Sequence, residues 1–155
     1  MKIRTVSHNN RKKVFEVKTA SKVLSFPFAK LEMKPKANNK IVRVFVDKEL
    51  AREAFTYVLE SGAKDSVHIE QVLEYNQDPA YLRELLLYKL TLEAKRRVDA
   101  SPLSKREMIR RLGTSATQFY RLLDQTNYRK SIDKLLELLH VLDCDVDLVV
   151  RAKSA

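Results

Sequence analysis

The sequence contains few of the residues on which disulfide-rich, cysteine-ligated zinc and nucleotide-binding proteins depend. Its 155 residues include one cysteine, two glycines, four prolines and no tryptophan. A single cysteine, Cys144, excludes an internal disulfide and a cysteine-rich zinc site, and its apolar neighbours favour a small buried hydrophobe. Two glycines are too few for a glycine-rich phosphate loop or a dinucleotide-binding fingerprint.

Side chains that support catalysis or metal binding are also scarce. The three histidines, His8, His68 and His140, lie far apart in the sequence and show no metal-ligand spacing. The acidic residues between positions 49 and 99 are typical of a solvated face rather than of a catalytic carboxylate pair. We therefore expect no enzyme, no catalytic residue, no metal and no cofactor.

Long apolar runs are absent as well. No stretch approaches the length needed to span a membrane, and the charged N-terminus MKIRTVSHNNRKK lacks the apolar segment of a secretion signal. A composition of 45% hydrophobic and 32% charged residues is that of a globular protein with a buried core. We expect a cytoplasmic protein with no membrane partner.

Positive charge is abundant and unevenly distributed along the chain. Residues 1–48 contain thirteen Lys and Arg against three Asp and Glu, residues 49–99 contain seven against ten, and residues 100–155 contain ten against seven. The net charge of +10 therefore arises at the two ends of the chain. Two basic regions separated by an acidic one indicate a polyanionic partner.

The first half of the chain has the short alternating pattern of antiparallel strands. Alternation from Lys2 to Leu31 predicts a β-hairpin, and the β-branched run Ile41 to Val46 predicts a further strand. Phe55 to Leu59 and Ser66 to Glu70 predict a second hairpin, with Gly62 as its turn residue. Four or five such strands make one small antiparallel β module.

The best candidate for a domain boundary is Asn-Gln-Asp-Pro at residues 76–79, which combines a helix cap with a proline suited to the first helical turn. We therefore predict a β-rich module of unknown role over residues 1–76 and a helical domain over residues 77–155. The tail from Asp145 to Arg151 alternates charged and apolar residues, so it can form a strand in its own sheet or in a partner's.

Residues 103–124 predict two short helices joined by a sharp turn. The capping spacing S-x-x-E begins at Ser104, and the related spacing S-x-x-Q begins at Ser115. Gly113 lies between them, where a helix end favours a left-handed backbone. Apolar residues at helical spacing follow each cap. An ordinary helical hairpin with a glycine corner would show the same features.

This segment resembles the helix-turn-helix of the Cro/lambda-repressor-like (XRE) family, whose second helix enters the major groove of DNA. The resemblance covers roughly residues 82–148, and the residues that carry it are Leu103, Ser104, Glu107, Leu112, Gly113, Ser115, Phe119 and Leu122. It implies an α+β protein in which a small N-terminal antiparallel β module is followed by an all-α helix-turn-helix domain.

The same resemblance implies roles for individual side chains. The residues expected to face base edges are Thr117, Gln118, Tyr120 and Arg121. Arg121 is the best candidate to read guanine, because a guanidinium group donates two hydrogen bonds to one guanine edge. The residues expected to contact the DNA backbone are Lys105, Ser115, Asn127, Tyr128, Arg129, Lys130 and Ser131.

These observations lead us to expect a sequence-specific, duplex-DNA-binding transcriptional regulator that acts as a repressor. We expect a homodimer, formed through the tail or through an edge of the N-terminal sheet, because one recognition helix reads only a few base pairs. One alternative is an antitoxin that neutralises a toxin through the β module and represses its own operon. Another is an RNA-binding or protein-interaction module.

Overall fold

The computed structural model describes residues 1–153 of the chain. Its contacts divide the chain into a first unit, Met1–Leu82, and a second unit that begins at Arg83. The strands are β1 Ile3–Asn9, β2 Val14–Thr19, β3 Val23–Pro27, β4 Ile41–Val46, β5 Ala54–Leu59 and β6 Lys64–His68. The α-helices are α1 Ile69–Tyr75, α2 Pro79–Ala100, α3 Lys105–Leu112, α4 Ala116–Leu122 and α5 Ile132–Val141, and a 3-10 turn spans Phe28–Lys30.

The first unit contains two antiparallel sheets of three strands each. Their strand orders are β1-β2-β3 and β4-β5-β6, so every strand pairs with its neighbour in sequence. Phe15 and Val17 of β2 are buried, whereas the alternating Glu16 and Lys18 are exposed. This alternation gives the first sheet one apolar face, because successive side chains of a strand point to opposite sides.

Aromatic side chains form the centre of the first unit's core. The ring centroid of Phe15 lies 4.9 Å from that of Phe28, 4.8 Å from that of Phe55 and 5.6 Å from that of Tyr57. The hydroxyl of Tyr57 donates to the carbonyl of Met33 at 2.7 Å. Burial raises the pKa of Tyr57 to about 12, so the phenol stays protonated and keeps this hydrogen bond.

The junction between β6 and α1 differs from the predicted strand Ser66 to Glu70. The strand ends at His68, and the helix begins at Ile69. The Nδ1 of His68 accepts a hydrogen bond from the backbone N–H of Glu70 at 3.2 Å, and the Oε1 of Gln71 accepts one from the N–H of His68 at 2.8 Å. These two reciprocal bonds cap the helix and stop the strand.

The second unit is built from helices with capped ends. Ser104 accepts from the N–H of Glu107 at 3.1 Å, and Ser131 accepts from the N–H of Lys134 at 3.2 Å. Gly113 adopts a left-handed φ of 67° directly after α3, as its position in the sequence predicts. The buried core residues of this unit are Leu87, Ala94, Val98, Met108, Leu112, Phe119, Leu122, Leu123, Leu135, Leu138 and Leu139.

The predicted arrangement of one β module followed by an all-α helix-turn-helix domain is wrong, although the α+β class is correct. Six strands form two separate sheets, and five helices follow, the first of which belongs to the first unit. Alternation identifies a strand but not its partners, because pairing depends on contacts distant in sequence. The short α1 was missed because its first two residues, Ile69 and Glu70, were assigned to the end of the predicted strand.

The predicted boundary lies between residues 76 and 77, and the contacts divide the chain after Leu82. The tail from Asp145 to Arg151 forms no strand within the described chain, where residues 144–153 have no regular secondary structure. Within residues 1–153, no helix is both long and apolar enough to cross a membrane.

Candidate functional site

Helix α4 separates a buried face from an exposed one. Phe119 is fully buried and Leu122 nearly so, whereas all four residues predicted to read bases are exposed: Thr117, Gln118, Tyr120 and Arg121. Positions separated by three or four residues share one side of a helix, so these four side chains form one outward surface. The structure therefore brings the predicted base-reading residues together.

The start of α4 is held by local contacts. Ser115 accepts a hydrogen bond from the N–H of Gln118 at 3.1 Å and so caps the helix. The Nζ of Lys105, at the start of α3, lies 5.9 Å from the ring centroid of Tyr120, within the range of a cation–π contact. Ser115 thus has a structural role in the chain itself, and Lys105 is positioned beside the exposed face of α4.

A polar cleft of about 750 Å³ opens beside α4. Its exposed basic side chains come from three segments: Arg121 from α4, Arg129 from the following loop and Lys134 from α5. Lys134 was not among the predicted site residues, although its position three residues after the Ser131 cap indicated the first turn of α5. Lys134 also pairs with Glu137 at 3.0 Å, and both side chains are exposed.

The loop between α4 and α5 is ordered by side chain to backbone hydrogen bonds. The amide of Asn127 donates to the carbonyl of Arg121 at 3.2 Å and accepts from the N–H of Arg129 at 3.1 Å. Asp124 accepts from the N–H and the hydroxyl of Thr126, and these bonds lower the pKa of Asp124. Asn127 therefore stabilises the conformation of this loop, in which Arg129 is exposed at the cleft.

Lys130 has a different role from the DNA-backbone contact that we predicted. Only 9% of the residue is exposed, and its Nζ donates to the carbonyls of Leu122 at 2.9 Å and Asp124 at 2.7 Å. Burial lowers the pKa of Lys130. The ammonium group binds the carbonyl groups that follow α4, so Lys130 stabilises the helix end and is not available to phosphate.

The remaining predicted backbone contacts, Tyr128 and Ser131, are both exposed. The carbonyl of Tyr128 accepts a hydrogen bond from Arg83 at 3.3 Å, and the hydroxyl of Ser131 caps α5. Ser131 lines the cleft, whereas Tyr128 does not, and each residue uses part of its bonding capacity within the chain.

Glu107 neutralises part of the basic surface of α3. Its carboxylate accepts hydrogen bonds from the Nε atoms of Arg110 and Arg111, each at 2.9 Å. Hydrogen bonds from the two arginines lower the pKa of Glu107 to about 2, and the bond from Arg110 has the larger effect. In a full capping box the Glu107 carboxylate would also accept from the backbone N–H of Ser104, and the spacing predicts this second bond. That prediction is wrong, because two guanidinium groups one turn away are stronger partners than one backbone N–H.

Among residues 1–153, no group of three or more His, Cys, Asp or Glu side chains is arranged to hold a metal ion. Comparison with known protein families, with curated proteins and with solved structures found no match to this chain.

The resemblance to the Cro/lambda-repressor-like family is therefore wrong. No family matches, and the two three-stranded sheets with five helices are not a small β module followed by an all-α domain. The residues that suggested the family are caps and a left-handed glycine. These signals specify helix ends, and any tight pair of helices needs them.

Proposed function

We propose that this protein binds duplex DNA through the exposed face of α4 and acts as a transcriptional repressor by occupying its site. The observation that carries the proposal is the combination of four exposed polar or aromatic side chains on one capped helix with a cleft lined by three exposed basic side chains. Such a surface offers hydrogen-bond donors for base edges next to cations for phosphates.

Within this proposal, the side chains divide by chemistry. Arg121 donates two parallel hydrogen bonds to the major-groove edge of guanine, and Gln118 offers a donor and an acceptor that match adenine. Within residues 1–153, neither side chain forms a hydrogen bond or an ion pair inside the chain. Both groups are therefore available to a partner at no cost in intramolecular bonds.

The cations next to α4 supply contacts that do not depend on sequence. Arg129 and Lys134 border the cleft on one side of the helix, and Lys105 lies beside Tyr120 on α4. We assign these three residues to phosphate binding. Each contact of this kind releases condensed counterions, so it strengthens binding to every sequence and makes affinity fall with salt.

We further propose that two copies bind together, because one short helix covers only a few base pairs. Support comes from the tail, where Val146, Leu148, Val149 and Val150 are 52%, 81%, 73% and 85% exposed. Four neighbouring apolar side chains without cover favour association with a second chain over exposure to water. The tail is the contact surface that we assign to the homodimer.

The DNA proposal is tested by selecting bound duplexes from a random pool and then measuring affinity for the selected site and for a scrambled one. Arg121→Ala should weaken binding to the selected site by about 1 to 3 kcal/mol and relax preference at one base pair. Arg129→Gln should weaken both duplexes alike and reduce the salt slope by about one. Arg96→Ala, which removes an exposed arginine on α2, is the matched control.

Wild-type affinity and base preference in the Arg121→Ala chain would contradict the proposed reading helix. Failure of the pool to yield any preferred sequence would contradict sequence-specific regulation as a whole.

The dimer proposal is tested by light scattering on the full chain. We expect a dimer for the wild type and a monomer for the Leu148→Asp, Val150→Asp double variant, because two buried carboxylates would oppose association. The matched control is Asp145→Asn, Asp147→Asn, which changes the charged positions of the same tail and should remain dimeric. A monomeric wild-type chain at micromolar concentration would overturn the dimer.

A further inference from the structure

A second basic cleft lies within the first unit, far along the chain from α4. Its volume is about 680 Å³, and its walls are the β1–β2 turn, the 3-10 turn after β3 and the loop before β4. Five basic residues line it, and no acidic residue does: Arg11, Lys13, Lys34, Lys36 and Lys40. The sequence indicated this site only as a high density of positive charge over residues 1–48.

The first wall is a turn whose conformation is fixed by Asn9. The side-chain oxygen of Asn9 accepts from the N–H groups of Arg11 at 3.0 Å and Lys12 at 2.9 Å. Lys13 has a left-handed φ of 58° and donates its N–H to the carbonyl of Asn9 at 2.8 Å. The carbonyl of Lys13 in turn accepts from the N–H of Phe28 at 2.9 Å, which joins this turn to the 3-10 turn.

The opposite wall is anchored to the second sheet. Lys36 and Asn39 exchange two backbone hydrogen bonds of 3.0 Å each. The side-chain oxygen of Asn39 accepts from the N–H of Ser61 at 2.9 Å, and the carbonyl of Lys40 accepts from the N–H of Glu60 at 2.9 Å. Both walls are thus held by hydrogen bonds to neighbouring structure, so the backbone that carries the cations is already ordered.

The charge in this cleft is not compensated by the chain. In the part of the molecule that the structure describes, none of the five basic side chains forms an ion pair, and all five are exposed. Cations gathered within roughly one Debye length, about 8 to 10 Å, repel one another unless anions are present. Such a cleft favours a partner with several negative charges.

The floor of the cleft indicates which polyanion fits. It contains Pro27, Ala29, Pro35 and Ala37 together with Phe28, whose ring belongs to the core and leaves only 6% of the residue exposed. Binding of single-stranded nucleic acid depends on aromatic faces that stack with bases, and Phe28 offers no such face. Cations around small apolar residues suit the phosphates and sugars of a duplex backbone.

We propose that this cleft binds the sugar–phosphate backbone of duplex DNA without reading its sequence. The inference rests on the proposed function for the identity of the polyanion, and it adds a contact made by the first unit alone. Its signature is a contribution to the salt dependence of binding that is equal for all sequences.

The test measures binding of the full chain to a fluorescent duplex of random sequence between ~50 and ~200 mM salt. The variant Lys34→Gln, Lys36→Gln, Lys40→Gln removes three charges from one wall of the cleft. Because each phosphate contact contributes about 0.9 to the slope of log affinity against log salt, we expect the slope to fall by about 2 to 3. The matched control, Lys2→Gln, Lys48→Gln, Lys64→Gln, removes three exposed lysines of the same unit outside the cleft and should keep most of the slope.

A second variant, Arg11→Gln, Lys13→Gln, changes the opposite wall and should reduce the slope by about 2. The cleft is overturned if the triple variant keeps the wild-type slope, if it matches its control, or if its binding loss appears only with single-stranded DNA. In the same assay, Arg129→Gln, which removes a proposed phosphate contact of the α4 site, distinguishes the two proposals. A reduced slope in the cleft variants with a wild-type slope in Arg129→Gln contradicts the α4 site alone, and the reverse pattern contradicts the cleft alone.

Discussion

The two units of this protein contain the same number of charged residues but arrange them differently. Residues 1–82 contain fifteen Lys and Arg and ten Asp and Glu, and the residues from 83 onward contain the same numbers. In the second unit, Glu93 pairs with Arg96 and Arg97, and Glu107 pairs with Arg110 and Arg111. In the first unit, the five cations of the cleft have no such partners.

The helical period explains the difference. Residues three or four apart are neighbours on a helix surface, so an acid followed at that spacing by a base is neutralised within its own helix. Turns and loops impose no such period, and the cations of the β1–β2 turn and of the loop before β4 form no ion pair within residues 1–153. A basic residue that pairs with an acid on its own helix therefore contributes less to a polyanion site than a basic residue without such a partner. Arg110 and Arg111 are partly neutralised by their neighbour, whereas Arg121 and Arg129 form no ion pair within residues 1–153.

The largest expected effects are those on the two cores. Phe15 and Phe119 are both fully buried, one among aromatic rings and one among leucines. Replacing either by alanine should cost about 3 to 5 kcal/mol, because a large side chain is lost from a packed site. Hydrogen exchange followed by NMR should show faster exchange in β5 for Phe15→Ala and in α5 for Phe119→Ala. If each variant speeds hydrogen exchange equally in both units, the two units unfold together.

A smaller effect is expected at the end of α4. Lys130→Met should destabilise the second unit by about 1 to 3 kcal/mol, because the carbonyls of Leu122 and Asp124 lose their donor. Urea unfolding measures this loss. Arg129→Gln, at the exposed neighbouring position, is the control and should change stability by about 0.5 kcal/mol or less. A stable Lys130→Met chain with a flattened salt slope would restore Lys130 to the DNA contacts.

The smallest expected effect is a pH dependence due to Glu107. Its pKa in the folded chain, about 2, lies below the ordinary value of 4.5, so the ionised carboxylate stabilises the fold. That contribution is fully present above about pH 4.5 and is lost as the pH falls toward 2. Urea unfolding between these values should therefore show the wild type converging on Glu107→Gln as the solution becomes more acidic.

The control for this prediction removes the partners of the carboxylate. In an Arg110→Gln, Arg111→Gln background, Glu107→Gln should no longer cause a difference in stability that depends on pH. A persistent pH-dependent difference in that background would assign the effect to the N-terminus of α3 rather than to the two arginines.

The sequence by itself determined the local features of this protein. The ends of α3 and the start of α4 follow from Ser104, Gly113 and Ser115, and the exposed face of α4 follows from the spacing of Phe119 and Leu122. Each of these features depends on hydrogen bonds or contacts between residues only a few positions apart. Such interactions join residues close in sequence, so the local sequence pattern predicts where they occur, although packing against the core is needed to stabilise such short helices.

Only the tertiary structure decided how the six strands divide into two sheets, where Lys130 lies and which loops form the basic cleft. The two sheets depend on burying the face that contains Phe15 and Phe55, which are forty residues apart in the sequence. The cleft needs Arg11 beside Lys36 and Lys40, and the hydrogen bonds that place them join Asn39 to Ser61 and Lys13 to Phe28. Contacts over such separations form only when the core folds, because closing each loop is favourable only when a buried apolar surface forms with it.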